Sequence, residues 1–213
     1  MMAYATICTG KTLRSLYDAD WGIFITPSAY SKNRPAFRWS QQQEPPMRYA
    51  IDNGAWAAYC NEVPWESGPW LQLLEEHADG ADFVVLPDIV GGGEKSLELS
   101  VSWMGVVDCH VLIPVQDGMT EEMVEPLLSE RVGVFVGGTT EFKEGTLAQW
   151  ASLAHRCGSW CHVGRVNSVR RINMCTNSGV DSIDGTSPVR FRVTLPMIDA
   201  ARRQVSLMGD LDG

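Results

Sequence analysis

The sequence predicts a single small barrel of alternating strands and helices, and three observations carry that expectation. Eight short apolar or β-branched runs recur along the chain, each ends in a polar or Gly-containing turn, and helix-like segments separate most of them. Alternating strands and helices imply a parallel sheet, and eight strands imply closure into an α/β (β/α)8 barrel of the TIM type. The chain has 213 residues, 45% of them apolar, with 8 Trp, 6 Phe and 5 Tyr, which is one domain with a substantial core. No repeat or linker divides it, so residues 1–213 read as one domain. At this length the barrel must be small or partly degenerate.

In chain order the strands are expected over 5–9, 22–26, 48–52, 83–88, 111–116, 133–137, 161–165 and 182–185. Helical periodicity covers 70–78, 94–107, 121–129, 146–157, 168–178 and 196–207. Thr120 and Ser168 stand where N-caps belong, their side-chain oxygens placed to accept from free backbone N–H groups. The stretch 28–46 is rich in Ser, Gln and Pro and reads as a long, mobile loop after the second strand.

Charge and cysteine usage narrow the class. The net charge is −9, which is unfavourable for a general phosphate-backbone binder. The charge is uneven: between Arg165 and Arg203 seven Arg face three Asp, a local +4. That asymmetry keeps a nucleic-acid partner open, with a homodimer or partner protein as the source of further basic surface. The six cysteines form no Cys-x-x-Cys pair and read as reduced, packed thiols. Cys157 and Cys161, four apart beside His155 and His162, lack the second pair a metal site needs, and no metal or other cofactor is expected. No apolar run approaches the roughly 20 residues that span a bilayer, and the first residues lack a secretion-signal pattern, so the expected location is the cytoplasm.

The chemistry should lie at the C-terminal ends of the strands. Those positions read Asp52-Asn53-Gly54-Ala55-Trp56, Leu86-Pro87-Asp88, Gln116-Asp117-Gly118, Gly137-Gly138-Thr139, Val163-Gly164-Arg165-Val166-Asn167 and Asp181-Ser182-Ile183-Asp184. One Asp at a strand end is ordinarily an N-cap or turn former. Four of them, Asp52, Asp88, Asp117 and Asp184, converging on one mouth repel each other and call for a cationic ligand, a metal or an acid–base role. Two carboxylates on opposite sides of a sugar suit glycosidic-bond chemistry, in which one attacks the anomeric carbon and the other handles a proton. Asp88 and Gln116 match the donor and acceptor edge of a purine, and Trp56 offers a flat stacking face. The pair Gly137-Gly138 reads most simply as a tight turn, and it also admits close backbone approach to a ligand oxygen.

From about Tyr49 to Thr186, the order of these motifs resembles the tRNA-guanine transglycosylase superfamily, and within it the phage-type branch that places 7-deazaguanine in DNA. Asp52-Asn53-Gly54-Ala55-Trp56 is similar to the family's Asp-Ser-Gly-Gly-aromatic motif, which implies Asp52 as general base and Trp56 as a stacking ring. The resemblance further implies Asp88 as purine reader, Gln116 as its partner, Gly137 and Gly138 as the loop facing the base carbonyl, Val163 on the base's other face, and Asp184 as nucleophile, with Asp181 matching an upstream Asp. It implies exchange of guanine for a free 7-deazaguanine base through a covalent glycosyl-aspartate, in a host cell's cytoplasm if the chain is phage-encoded; Arg165, Asn167, Arg170 and Arg171, in the Arg-rich third, are the candidate nucleic-acid contacts. The tRNA enzymes' C-terminal zinc site of three Cys and one His has no counterpart after Cys175, which favours DNA over tRNA. The same carboxylates would also serve a nucleosidase or DNA glycosylase, and a barrel that only binds modified bases remains the reading from another class.

Overall fold

In the computed structural model, which describes residues 1–204, the chain forms one closed barrel of eight parallel strands in sequence order, β1 pairing with β8 to complete the ring. The strands are β1 (Met2–Thr6), β2 (Gly22–Ile25), β3 (Tyr49–Ile51), β4 (Val84–Val85), β5 (Val111–Val115), β6 (Val132–Val136), β7 (Cys161–Val163) and β8 (Ser182–Gly185). Among the described residues ten α-helices accompany them: α1 (Gly10–Asp18), α2 (Pro27–Gln41), α3 (Ala55–Cys60), α4 (Ser67–His77), α5 (Glu94–Trp103), α6 (Glu121–Val124), α7 (Thr140–Arg156), α8 (Val169–Asn177), α9 (Ser187–Arg190) and α10 (Leu195–Arg203). The fold class expected from the sequence is the one observed. No helix among the described residues is long and apolar enough to cross a membrane.

Side-chain alternation divides the core in two. Residues such as Ala3, Ile23, Ile51, Ile113, Val134, Val163 and Ile183 point outward and pack with the helices. Tyr4, Phe24, Ala50, Phe83, Val85 and Leu112 point inward, with Phe135 and Trp160 against them. The inner set is strongly aromatic: Tyr4 lies edge-on to Phe83 at 5.4 Å, and Phe24 stacks near Phe135 at 6.3 Å. These rings plug the barrel below its mouth, so ligands meet it only at the C-terminal end of the strands.

Several expectations are corrected. The first strand lies three residues earlier than expected, because the Met2 N–H bonds Asp181 O and Tyr4 must face inward. The stretch 28–46 is not a mobile loop but mostly helix α2. Thr26 Oγ1 caps it by accepting from Ala29 N at 3.1 Å, Pro27 occupies the first turn, and Ala36, Phe37 and Ser40 are buried. Phe37 meets Tyr49 edge-on at 5.1 Å, which docks α2 against β3. Pro35 leaves a kink at Asn33 (φ −124°, ψ 24°), where the Asn33 side chain bonds the Ala29 carbonyl instead. Helix α7 starts six residues earlier than expected, capped by Thr139, whose Oγ1 accepts from Phe142 N at 3.2 Å. Ser168 accepts from Arg171 N as an N-cap, whereas the Thr120 side chain makes no cap bond. Of the helix expected over 196–207, Leu195–Arg203 is observed and 205–207 lie outside the described residues.

Candidate active site

Asp52 directly follows β3, Asp88 follows β4, and Asp184 lies within β8, so three carboxylates from distant parts of the chain share the barrel mouth. Burial pushes Asp52 up to about 7, and the charges of Asp184 and then Asp88 push it the same way against backbone hydrogen bonds from Gly54 and Asn53. Burial also raises Asp88, opposed by the Asn53 hydrogen bond and the Arg165 charge. Asn53 is the clamp here. Its Nδ2 donates to Leu86 O (2.6 Å) and to Asp88 Oδ1 (2.8 Å), while its Oδ1 accepts from Ala55 N, tying the start of α3 to the Asp88 loop.

Asp184 rests on the aromatic plug. Its Oδ1 accepts from His162 Nε2 at 3.1 Å and faces the Arg165 backbone N–H at 3.4 Å. No hydrogen bond to Oδ2 forms among the described residues. An ionised Asp184 requires the imidazole proton on Nε2. In the neutral ring His162 Nδ1 then accepts the Ser182 hydroxyl proton (2.7 Å), and Ser182 Oγ accepts the Trp160 indole N–H (2.8 Å).

The rest of the mouth is tied together in pairs. Asp117, which sequence reasoning left without a role, accepts from Thr139 N (2.7 Å) and Thr139 Oγ1 (2.6 Å) and joins the loops after β5 and β6. Gly138 between them has φ +71°, and a Cβ there would lie 2.5 Å from Asp117 Oδ2, so glycine is required. The Gly138 N–H has no protein acceptor among the described residues and remains available to a ligand oxygen. Gly137 is spent in the sheet, its N–H bonding Val115 O.

Arg165 spans the opening: its guanidinium donates to Gly138 O, and its Cζ lies 4.2 Å from the Trp56 ring centroid. Tyr59 stacks on the same indole at 5.6 Å.

Other expected site residues have different surroundings. Gln116 does not face the mouth with a free amide: its Oε1 accepts from Gly91 N, and its Nε2 donates to Ile89 O and Ser96 Oγ, so it holds the loop that follows Asp88. Val163 points outward, because β7 alternation turns His162 inward. It lines a shallow cleft between α7 and α8 with Lys143, Leu147 and Met174, not the mouth. Asn167 accepts from Thr186 N and Ser187 N, both at 2.8 Å, and so anchors the start of α9. Arg170 and Arg171 both pair with Glu144. Asp181 lies at the opposite end of the barrel, where it accepts from Cys161 N and contacts His155.

Sequence reasoning missed two buried groups beside Asp184. His162 is fully buried, and the signal for it is a polar residue at an inward strand position. Lys143 is 7% exposed on the inner face of α7 and donates to Gly164 O at 2.9 Å. Burial and the Arg165 charge bring Lys143 down to about 8, against the pull of Asp184. Among the described residues no cluster of three His, Cys, Asp or Glu is placed to hold a metal ion. No protein-family model matches the chain, and no curated protein matches it.

Proposed function

We propose that this barrel is a glycosyltransferase that exchanges guanine for a 7-deazaguanine base in a polynucleotide, with DNA favoured over tRNA. One observation carries the reading: three carboxylates meet at the mouth, one raised to about 7 by burial and by the charges of the other two, another with a single oxygen free of protein partners among the described residues. The motif order that resembles the transglycosylases supports the same assignment.

In this reaction Asp184 Oδ2 attacks C1′ of an extruded guanine nucleotide, the C1′–N9 bond breaks, and the bonding pair leaves with guanine as Asp52 supplies a proton. The incoming 7-deazaguanine then attacks C1′ through its ring nitrogen, the ester bond to Asp184 breaks, and Asp52 takes back the proton that this nitrogen loses. The cycle closes without net proton change, and a carboxyl near 7 serves both halves. Asp88, held by Asn53, accepts from the N–H edge of the purine, and the Gly138 N–H meets its carbonyl. The purine takes the place of the Arg165 guanidinium, itself a flat donor group lying on Trp56. Arg165 is thereby released toward a phosphate. Arg170 and Arg171 add positive surface only where Glu144 yields them.

The test is exchange of a labelled 7-deazaguanine base into guanine-containing DNA and tRNA. Wild-type protein is expected to take up label in DNA, and Asp184→Asn to lose uptake entirely. Full uptake by Asp184→Asn, or none by the wild type into either acceptor, overturns the proposal. Release of guanine with no uptake of label would assign the same carboxylates to hydrolysis.

A further inference from the structure

We propose that Asp184 is presented to its reaction with one oxygen pinned and one free, and that His162 from inside the barrel and Lys143 from outside are the residues that position it. This rests on Asp184 being the nucleophile of the proposed exchange.

The inner pin is built from two neighbouring strands. Ser182 and Asp184 are two apart on β8 and therefore face inward on the same side, while His162 is the register partner of Ser182 on β7. The imidazole bridges the two, with Nδ1 on Ser182 Oγ and Nε2 on Asp184 Oδ1. Nothing lets the ring turn. It stacks on Phe135 at 5.0 Å and packs against Phe83 and Phe24, and Ser182 is itself held by Trp160. A fully buried imidazole with both nitrogens bonded, one of them to the candidate nucleophile, has no purely apolar rationale in an aromatic plug.

The outer pin works through one peptide unit. Lys143 Nζ donates to the carbonyl of Gly164, and the N–H of that same peptide, on Arg165, faces Asp184 Oδ1. In a trans peptide C=O and N–H point in opposite directions, so the ammonium lies at one end of the peptide dipole and the carboxylate at the other. Arg165 holds the left-handed conformation (φ +59°), uncommon for a residue with a side chain. Gly164 is needed for the approach: a Cβ there would lie 2.5 Å from the Phe135 ring and 3.4 Å from Asp184 Oδ1.

Both contacts fall on Oδ1. They stop the carboxylate from rotating and leave the lone pairs of Oδ2 directed at the mouth, which is the orientation that in-line attack on an anomeric carbon needs. Losing a pin should therefore slow the formation of the glycosyl–enzyme ester while leaving base binding unchanged.

Three variants test this. His162→Phe keeps the aromatic filling and removes the donor, His162→Gln returns an amide N–H, and Lys143→Met keeps chain length without charge. Single-turnover formation of the covalent adduct on a guanine-containing oligonucleotide is expected to slow about 100-fold in His162→Phe and about tenfold in Lys143→Met, since an error of 1 Å in placement costs on the order of 100-fold. The Kd for the 7-deazaguanine base should stay within about twofold in both, and His162→Gln should recover at least about tenfold over His162→Phe. Wild-type adduct formation in His162→Phe, or, should that variant not fold, in Lys143→Met, overturns the inference, as does a Kd for the base that rises as adduct formation slows.

The imidazole 15N spectrum gives a readout independent of activity. The His162 Nε2 resonance should move in Asp184→Asn, and an unmoved resonance overturns the pin. A wild-type chain that forms no adduct while this resonance still responds would refute the proposed exchange and leave the pin intact.

Discussion

Replacing Asp52 by Asn should stabilise the fold, and by an amount that depends on pH. Asp52 goes from an ordinary 3.8 in the unfolded chain to about 7 in the folded one. Between those values the folded protein holds a proton that the unfolded chain releases, so raising the pH through this window lowers stability. Below about pH 4 both states are protonated and the effect vanishes. Above pH 7 it levels off, at roughly three pH units of 1.36 kcal/mol each, or about 4 kcal/mol. Asp52 sits at an open mouth, where water entry reduces the cost, so the expected gain for Asp52→Asn is about 2–4 kcal/mol at pH 8.5 and under about 1 kcal/mol at pH 4. Urea unfolding of both proteins followed by Trp fluorescence across this range measures the difference directly. Parallel stability curves, with a constant gap from pH 4 to 8.5, would show that the three carboxylates do not share one poorly solvated mouth. Both the acid–base assignment and the electrostatic picture of the site would then fail.

The same titration should appear in catalysis: with Asp52 as the base that receives the proton of the incoming ring nitrogen, the rate of the second half-reaction is expected to rise with pH through about 7 and to be flat beyond it, whereas a rate that falls through neutrality contradicts that role. Gly138→Ala combines a left-handed φ with a clash against Asp117 and should cost about 2–3 kcal/mol of stability and uncouple the two loops, read as a lower urea midpoint; an unchanged midpoint would show that the loop relaxes freely. Gln116→Ala removes three internal hydrogen bonds behind the Asp88 loop, and we expect about 2–3 kcal/mol of destabilisation. Loss of base binding at full stability would instead return Gln116 to direct contact with the base.

Residue spacing alone foretold a great deal. Eight apolar runs at fairly regular intervals, with helical segments between most of them, determine a closed parallel barrel, because βαβ units have few ways to bury both faces of their strands. The meeting of Asp52, Asp88 and Asp184 was also legible, since one Asp at a strand end is ordinarily a cap or turn former but several at successive strand ends of one barrel are not. What the sequence left open is which way each neighbouring side chain turns. Strand alternation has period two, so the pairing of β7 with β8, and not the local run Cys161-His162-Val163-Gly164, decides that His162 lies under Asp184 while Val163 faces the helices.

The polar residues of the mouth were ambiguous for a related reason. Gln116, Asn167, Asp117 and Asn53 have the chemistry of ligand contacts, but in the folded chain most of that chemistry is spent on backbone groups of the barrel's own loops. Helix α2 was hidden because its Pro, Ser and Gln content signals a loop, and tertiary packing, with Phe37 docked on Tyr49 and His77, overrides that propensity. Composition and spacing therefore determined the barrel and the carboxylates it carries. Tertiary structure decided which oxygen of Asp184 is free and why the Asp52 carboxyl is pushed up to about 7, because both depend on groups far apart in the chain that only ring closure brings together.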